Sequence, residues 1–291
     1  MFSILIPTYD NFEYLKICIN SLKKNSIFNN QILVHINTED LKTKNYLIKN
    51  KISFTNSNSN YGMPKSLNTV SKLATNDYIV VSHDDFYYCP EWDKYLFNDI
   101  KKKDDDLFLY TGLMIGPNQP LECNFGSDFN TFDEENLLRN FDNIIHYDFT
   151  GSTKHPAVLK KNLWDSVGGW SEEFYPTGGD DTDFLVKLWN VGVRDFKGIN
   201  KSRVYHFGSI TTRKKKNSKM NYLGSKANKI FLKKWGFSIG FFEKFYLRSG
   251  YNTNGIIMNK YDGLTKEPNK NFKFYINLMI CKIKLILAYF K

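Results

Sequence analysis

Near the N-terminus, Ser3-Ile4-Leu5-Ile6 forms a short apolar run stopped by Pro7, after which Phe12, Leu15, Ile19 and Leu22 recur at helical spacing over residues 11–24. The expected order is strand, turn, helix. A second apolar run over residues 32–36 precedes a polar helix near residues 39–49, and Ile52-Ser53-Phe54 reads as a short third strand. Pro64 suits the first turn of a helix running to about Ala74, and residues 77–81 form a buried strand aimed at His83-Asp84-Asp85. Repeated strand–helix alternation predicts an α/β fold, a mainly parallel sheet with helices on both faces. Ligands of such sheets collect beyond the carboxyl ends of the strands, which here means residues 7–10, 37–40 and 83–85.

The pattern is less regular further on. Residues 107–150 mix short aromatic strands with Gly and Pro turns and read as a strand-and-loop insertion. Order returns with Ala157-Val158-Leu159, a short helix ending at Gly168-Gly169, and a helix opening at Asp180-Asp181 whose apolar face includes Phe184, Leu185, Leu188 and Trp189. Val204-Tyr205-His206-Phe207-Gly208-Ser209 reads as a short strand entering a turn. Residues 271–291 are dominated by apolar side chains and carry only lysines as charges. Lys273, Asn277, Lys284 and Lys291 share a helical stripe, with Lys282 off it, and the uncharged runs are too short to span a bilayer. That segment either lies in a membrane interface or packs on the rest of the chain or a twin subunit.

Composition narrows the class. Hydrophobic content of 42% and aromatic content of 16% over 291 residues describe a packed globular chain. A net charge of +10 favours an anionic partner. The basic stretch Arg213-Lys214-Lys215-Lys216 accompanies no recognisable nucleic-acid module, so nucleic acid is not the expected partner. Four scattered cysteines, Cys18, Cys89, Cys123 and Cys281, show neither metal-site spacing nor a disulfide framework, and the apolar start lacks the basic leader of an export signal. The expectation is a cytoplasmic protein, at most peripheral to the inner face of a membrane.

Candidate chemistry centres on carboxylates. Adjacent Asp84 and Asp85 at a strand end repel one another unless a cation or hydrogen bonds compensate. Either the pair caps a turn, or it meets a hard divalent ion bridging a diphosphate. Asp180, Asp181 and Asp183 open a helix, where acidic residues also serve as caps. Lys65 is either a phosphate contact or a solvated first-turn lysine, and Trp170 either a sugar platform or core.

With Ser3-Ile-Leu-Ile-Pro-Thr-Tyr-Asp10 and Asn60-Tyr-Gly-Met-Pro-Lys-Ser-Leu-Asn68 added to the strand-end pair, residues 2–212 resemble inverting family 2 glycosyltransferases. The resemblance implies the GT-A fold, a Rossmann-like sheet flanked by helices. It implies that Pro7, Thr8 and Tyr9 line a nucleoside pocket, that Asp84 orients ribose and diphosphate, and that Asp85 holds Mn2+ or Mg2+. Asn60, Gly62 and Lys65 would face the donor. Gly168-Gly169-Trp170 followed by Asp180-Asp181 matches the acceptor-side pattern, with Asp180 in the usual Glu place. Asp181 is the first candidate for the general base and Asp180 the second, with the helix cap as an alternative place for Asp183. His206 stands where many relatives carry a His that meets metal or diphosphate. Two departures appear: Asn37 and His83 occupy places that are usually acidic. Both are expected to remain nucleotide-sugar contacts, as hydrogen-bonding or phosphate-binding groups.

The expected whole is a catalytic domain over residues 1–225 and a helical appendage over 226–291. Its function would be metal-dependent, inverting transfer of a sugar from a nucleoside-diphosphate sugar, a UDP-sugar first among them, to a glycan or lipid-linked acceptor. A catalytically silent sugar-nucleotide binder of the same fold is the alternative.

Overall fold

The computed structural model describes residues 1–117, 119, 121–144, 146–151, 155–208, 217–252 and 255–289. The basic stretch at 213–216, the preceding Thr211 and Thr212, Ser209 and Lys291 lie outside the described residues.

The first half alternates as the pattern predicts: β1 (Phe2–Thr8), α1 (Phe12–Asn25), β2 (Gln31–Ile36), α2 (Leu41–Lys49), β3 (Ser53–Asn56), α3 (Gly62–Ser71) and β4 (Tyr78–Val81). Then follow β5 (Phe86–Tyr88), α4 (Trp92–Ile100), β6 (Phe108–Gly116), β7 (Leu121–Glu122), α5 (Glu134–Asn140), β8 (Phe149–Thr150), β9 (Ala157–Lys160) and α6 (Lys161–Ser166). The remainder comprises α7 (Asp180–Asn190), β10 (Asp195–His206), α8 (Asn217–Trp235), α9 (Ile239–Phe245), β11 (Gly250–Asn252), β12 (Gly255–Ile257) and α10 (Phe272–Tyr289). The main sheet runs β3-β2-β1-β4-β9-β6-β10-β5, with β7 on β6 and β8 on β10. Among the strands of that path, β9 and β5 run against their neighbours and the others are mutually parallel.

Both faces of this sheet are buried, which is why its strands read as unbroken apolar runs rather than alternating ones. Phe2, Ile4 and Ile6 of β1 pack with α1 and α4 through Leu15, Ile19, Trp92 and Leu96. Leu5 points the other way, into a core with Leu67 of α3, Trp164 of α6, and Phe184 and Leu188 of α7.

Three expectations need correction. Pro7 does not stop β1: it pairs in register with His35, and the strand continues to Thr8. The pairing with β4 ends at Leu5, so Pro7 stands where that side of β1 has no ladder to interrupt. Residues 108–116 are not a peripheral insertion but β6, a fully buried central strand. The strand ending at His206 is 12 residues long. It keeps its pairing with β6 across an irregularity between Ile199 and Arg203. The C-terminal segment is helical as expected, with a short hairpin of β11 and β12 between α9 and α10.

The boundary expected at residue 225 falls inside α8. Ala227 and Phe231 of α8, Phe242 of α9, and Leu247 share the core of α7, so this stretch packs as part of the catalytic body. Among the described residues no helix is long and apolar enough to cross a membrane.

Candidate active site

Three strand ends meet at one edge of the sheet. Beyond β4 the chain turns through His83, Asp84 and Asp85 before entering β5. Asp84 is buried, and its carboxylate oxygens accept hydrogen bonds from Thr8 Oγ1 at 2.6 Å and Asn11 Nδ2 at 3.1 Å. Asn11 stands at the N-cap of α1 but makes no capping bond; its side chain goes to Asp84 instead. Burial first, and the charge of Asp85 second, push the Asp84 carboxyl up to about 7, against the lowering effect of Thr8 and Asn11.

Asp85 faces two imidazoles. His206 Nε2 is 3.3 Å from its Oδ2, and His83 Nδ1 is 3.9 Å from its Oδ1. The antiparallel pairing of β10 with β5 sets His206 opposite Phe86, next to Asp85, which brings residues from distant parts of the chain to one spot. One donor atom from each of His83, Asp85 and His206 lies within 4.8 Å of the others. Two imidazole nitrogens and a carboxylate oxygen suit a divalent transition ion, so the residues present fit the metal that the sequence resemblance implies.

At the end of β1, Tyr9 and Pro7 are half-buried. Asn37 is turned inward: its Oδ1 accepts from the Tyr61 N–H at 3.0 Å and Ser66 Oγ at 2.8 Å, and its N–H donates to Thr8 O at 2.9 Å. Asn60 Oδ1 accepts from the Gly62 N–H at 2.8 Å and shapes the turn that opens α3. Lys65 is exposed with its Nζ 4.2 Å from the Tyr61 ring centre, and Tyr61 in turn stacks on His35 at 5.7 Å.

The second acidic group, Asp180, Asp181 and Asp183, stands in the first turn of α7. Asp180 is buried and accepts from the Gly178 N–H at 2.6 Å and from Thr177 Oγ1, while Asp181 is half-buried and accepts from the Thr182 N–H at 2.8 Å. Burial, then the Asp181 charge, push the Asp180 carboxyl up to about 7. Asp183 is not a cap. It is fully buried and accepts from Ser171 Oγ at 2.5 Å, Trp235 Nε1 at 2.8 Å and Lys234 Nζ at 2.9 Å, tying α8 to this turn. Trp170 is buried core, 3% exposed.

What joins the two halves was not legible beforehand. His155, unremarked in the sequence, lies 4.6 Å from the His83 ring and 5.5 Å from Trp170, which stacks on Phe184 of α7 at 5.8 Å. Asn68 clamps the backbone of Trp170, accepting from its N–H and donating to its carbonyl, both at 2.8 Å. The Met63 N–H donates to Pro176 O at 2.8 Å. Met63, Asn68, His83, Trp170 and Phe184 each fell within a sequence motif, whereas His155 and Pro176 had no signal.

Comparisons with known proteins agree with this arrangement. Residues 3–150, just over half of the chain, match the family model described as glycosyl transferase family 2. No curated protein matches the sequence. Among solved structures, S. aureus TarS 1–349 is similar with a TM-score of 0.54 at 17% identity, covering 70% of this chain and 60% of that one. The same protein in complex with UDP-GlcNAc gives 0.53 at 15% identity, covering 72% and 60%. The mannosyltransferase PcManGT from Pyrobaculum calidifontis, in complex with GDP-Man and Mn2+, gives 0.50 at 15%, covering 70% and 56%. This chain thus spans about 60% of the TarS 1–349 length. Those likenesses establish the GT-A fold, and the matched strand–helix units carry the strand ends on which Thr8, Asn37, Asp84 and Asp85 sit. The chain belongs to glycosyl transferase family 2.

Proposed function

We propose that this protein is an inverting, metal-dependent glycosyltransferase that moves a sugar from a nucleoside-diphosphate sugar to a glycan or lipid-linked hydroxyl. One observation carries the reading: the carboxylates at the end of β4 and those opening α7 belong to a single packed unit, joined by the ring series His83, His155, Trp170, Phe184. A binding module needs the first pair of carboxylates but not the second.

In this reading the nucleoside lies over the ends of β1 and β2, against residues 7–9 and Asn37, with Asn60, Gly62, Lys65 and His83 bordering the donor. Asp84 orients ribose and diphosphate. Asp85 and His206 hold Mn2+ or Mg2+, whose chemistry when bound is to neutralise charge gathering on the departing diphosphate. Asp181 takes the proton of the acceptor hydroxyl as its oxygen attacks the anomeric carbon. The carbon–oxygen bond to the diphosphate breaks, the nucleoside diphosphate leaves with the electron pair, and direct displacement inverts the configuration. Asp180 is held inward by Gly178 and Thr177, which favours Asp181 as the base. UDP is the first base to test, since TarS was solved with UDP and with UDP-GlcNAc; GDP follows from the mannosyltransferase. A lipid-linked acceptor accords with peripheral contact of residues 271–291 with an anionic membrane.

Calorimetric titration of UDP, GDP, dTDP and CDP in Mn2+, in Mg2+ and in chelator tests this reading. One nucleotide should bind in a metal-dependent way, and Asp85→Ala should lose that binding. Asp181→Asn should keep donor binding and lose transfer by about 10²-fold or more. Nucleotide binding with no turnover across acceptors would instead support the silent binder, and metal-independent binding would remove Asp85 from its role.

A further inference from the structure

The donor atoms gathered around Asp85 include one that the family pattern does not supply, because His83 stands at a place that is usually acidic. We propose that His83, Asp85 and His206 form a preformed, nitrogen-rich metal site that binds its ion before any nucleotide arrives and takes a borderline transition metal in preference to magnesium. The proposal rests on the reading above, in which Asp85 and His206 are ligands; the third ligand and the selectivity are the new steps.

Spacing supports a common ion. Two donor atoms bound at ~2.1 Å to one ion stand roughly 3.0 Å apart at right angles and about 4.2 Å apart when opposite. The separations of 3.3 Å from His206 to Asp85 Oδ2 and 3.9 Å from His83 to Asp85 Oδ1, one to each carboxylate oxygen, fall inside that range. All three donors lie within 4.8 Å of one another, so a small side-chain adjustment closes the set.

Orientation supports it as well. The His83 ring stacks on Phe86 with centres 4.9 Å apart and planes 10° from parallel, and it also lies against His155. Those contacts hold a ring that would otherwise lose rotamer freedom on binding. The His83 carbonyl accepts from the buried Cys18 thiol at 3.5 Å, which anchors the backbone of the turn. Side-chain exposure grades from 6% at Asp85 and 8% at His206 to 30% at His83. The two buried ligands form the floor and His83 the rim, with the open side left to diphosphate oxygens.

Ligand chemistry then sets the preference. Magnesium demands oxygen donors, sheds water reluctantly, and is usually held by one or two carboxylates together with substrate phosphates. Two imidazoles and one carboxylate instead suit Fe2+, Co2+ or Zn2+ and hold Mn2+, the weakest binder of that series, more readily than Mg2+; three protein donors suffice to retain such an ion without phosphate.

The test titrates Mn2+ into the nucleotide-free full chain, following loss of the free-ion paramagnetic resonance signal and counting imidazole nitrogens by pulsed resonance. Wild type should bind Mn2+ through two imidazoles and keep it against a large excess of Mg2+. His83→Phe preserves a ring to stack on Phe86 and removes the nitrogen; it should bind at least about tenfold more weakly and show one imidazole. His83→Asp should bind Mn2+ yet lose it to Mg2+. Unchanged affinity and nitrogen count in His83→Phe would exclude His83 as a ligand. Wild-type binding only in the presence of UDP or GDP, or ready displacement by Mg2+, would overturn the proposal while leaving Asp85 and His206 in place. No metal binding even with nucleotide would remove the underlying reading too.

Discussion

Asp180 and Asp181 are neighbours in one helical turn, but the first is buried under hydrogen bonds from Gly178 and Thr177 while the second is half-buried beside Thr182. The folded chain keeps a proton on Asp180 up to about pH 7, whereas an unfolded chain releases it near the ordinary aspartate value of 3.8. Proton binding therefore favours the folded state between those values. The contribution is complete below about 3.8 and lost as pH rises through about 7. Asp180→Asn removes this titration. Between pH 5 and 7, the fall in wild-type stability with pH should lessen in the variant by up to about 1.4 kcal/mol per pH unit, the worth of one proton. Thermal or denaturant unfolding across that window checks it, and identical slopes in both proteins would count against a protonated Asp180. Part of the slope remains in the variant because Asp84, also raised to about 7, titrates in the same sense.

At the level of elements, α3 is the piece that joins the β1–β4 region to the segment leading into α7. Its first residue, Gly62, has φ +72°, and a Cβ there would sit 2.6 Å from Pro176 O. The close approach lets the Met63 N–H reach that same carbonyl. Gly62→Ala combines left-handed strain with overpacking against backbone, so a loss of about 3 kcal/mol in urea unfolding is expected. A change within about 0.5 kcal/mol would show the two loops to be independent. Six residues on, Asn68 clamps Trp170, so α3 holds the 170–176 segment from both ends. Arg203 does comparable work for residues 141–144. Buried at 1% exposure, it donates to Phe141 O, to Ile144 O at 2.6 Å and to Asn200 O at 3.0 Å, which secures a segment with little regular structure of its own.

Across the whole molecule, α10 presents two opposed apolar surfaces. Phe274, Leu278, Cys281 and Leu285 face α8 and α9 through Leu232 and Phe241. Phe272, Ile276, Met279, Ile283, Ile286 and Leu287 recur at the same spacing on the outward side and are exposed. Lys273 and Lys284 flank that side on one edge and Lys282 on the other, positions from which ammonium groups reach acidic headgroups. The full chain should co-float with vesicles of phosphatidylcholine and phosphatidylglycerol and only weakly with phosphatidylcholine alone. A triple change, Ile276→Asp, Met279→Asp and Ile283→Asp, should abolish flotation. Unimpaired flotation of that variant would sink the idea, and a dimer in vesicle-free solution that the variant dissolves would assign the face to a second copy instead.

Periodicity along the chain determined the first strand–helix units, and with them the edge where ligands gather. Residues 7–10, 37–40 and 83–85 were predictable there because carboxyl ends of parallel strands share one edge whatever the loops do. Adjacency in sequence also exposed the pairs Asp84–Asp85 and Asp180–Asp181. Spacing could not reveal β6 as a central strand, because Thr111 and Gly112 interrupt its apolar run and its neighbours β9 and β10 come from later in the chain. Nor could it separate the two members of an acidic pair, since burial and hydrogen bonding are set by neighbours remote in the chain: Thr8 and Asn11 for Asp84, His206 for Asp85. His155 carried no local signal at all, and its contacts with His83 and Trp170 exist only once β9 has been inserted between β4 and β6. The sequence by itself therefore determined which chemical groups stand at the strand ends, a matter of local propensity and period. The tertiary structure alone decided which of them meet, because long-range sheet order brings those groups together.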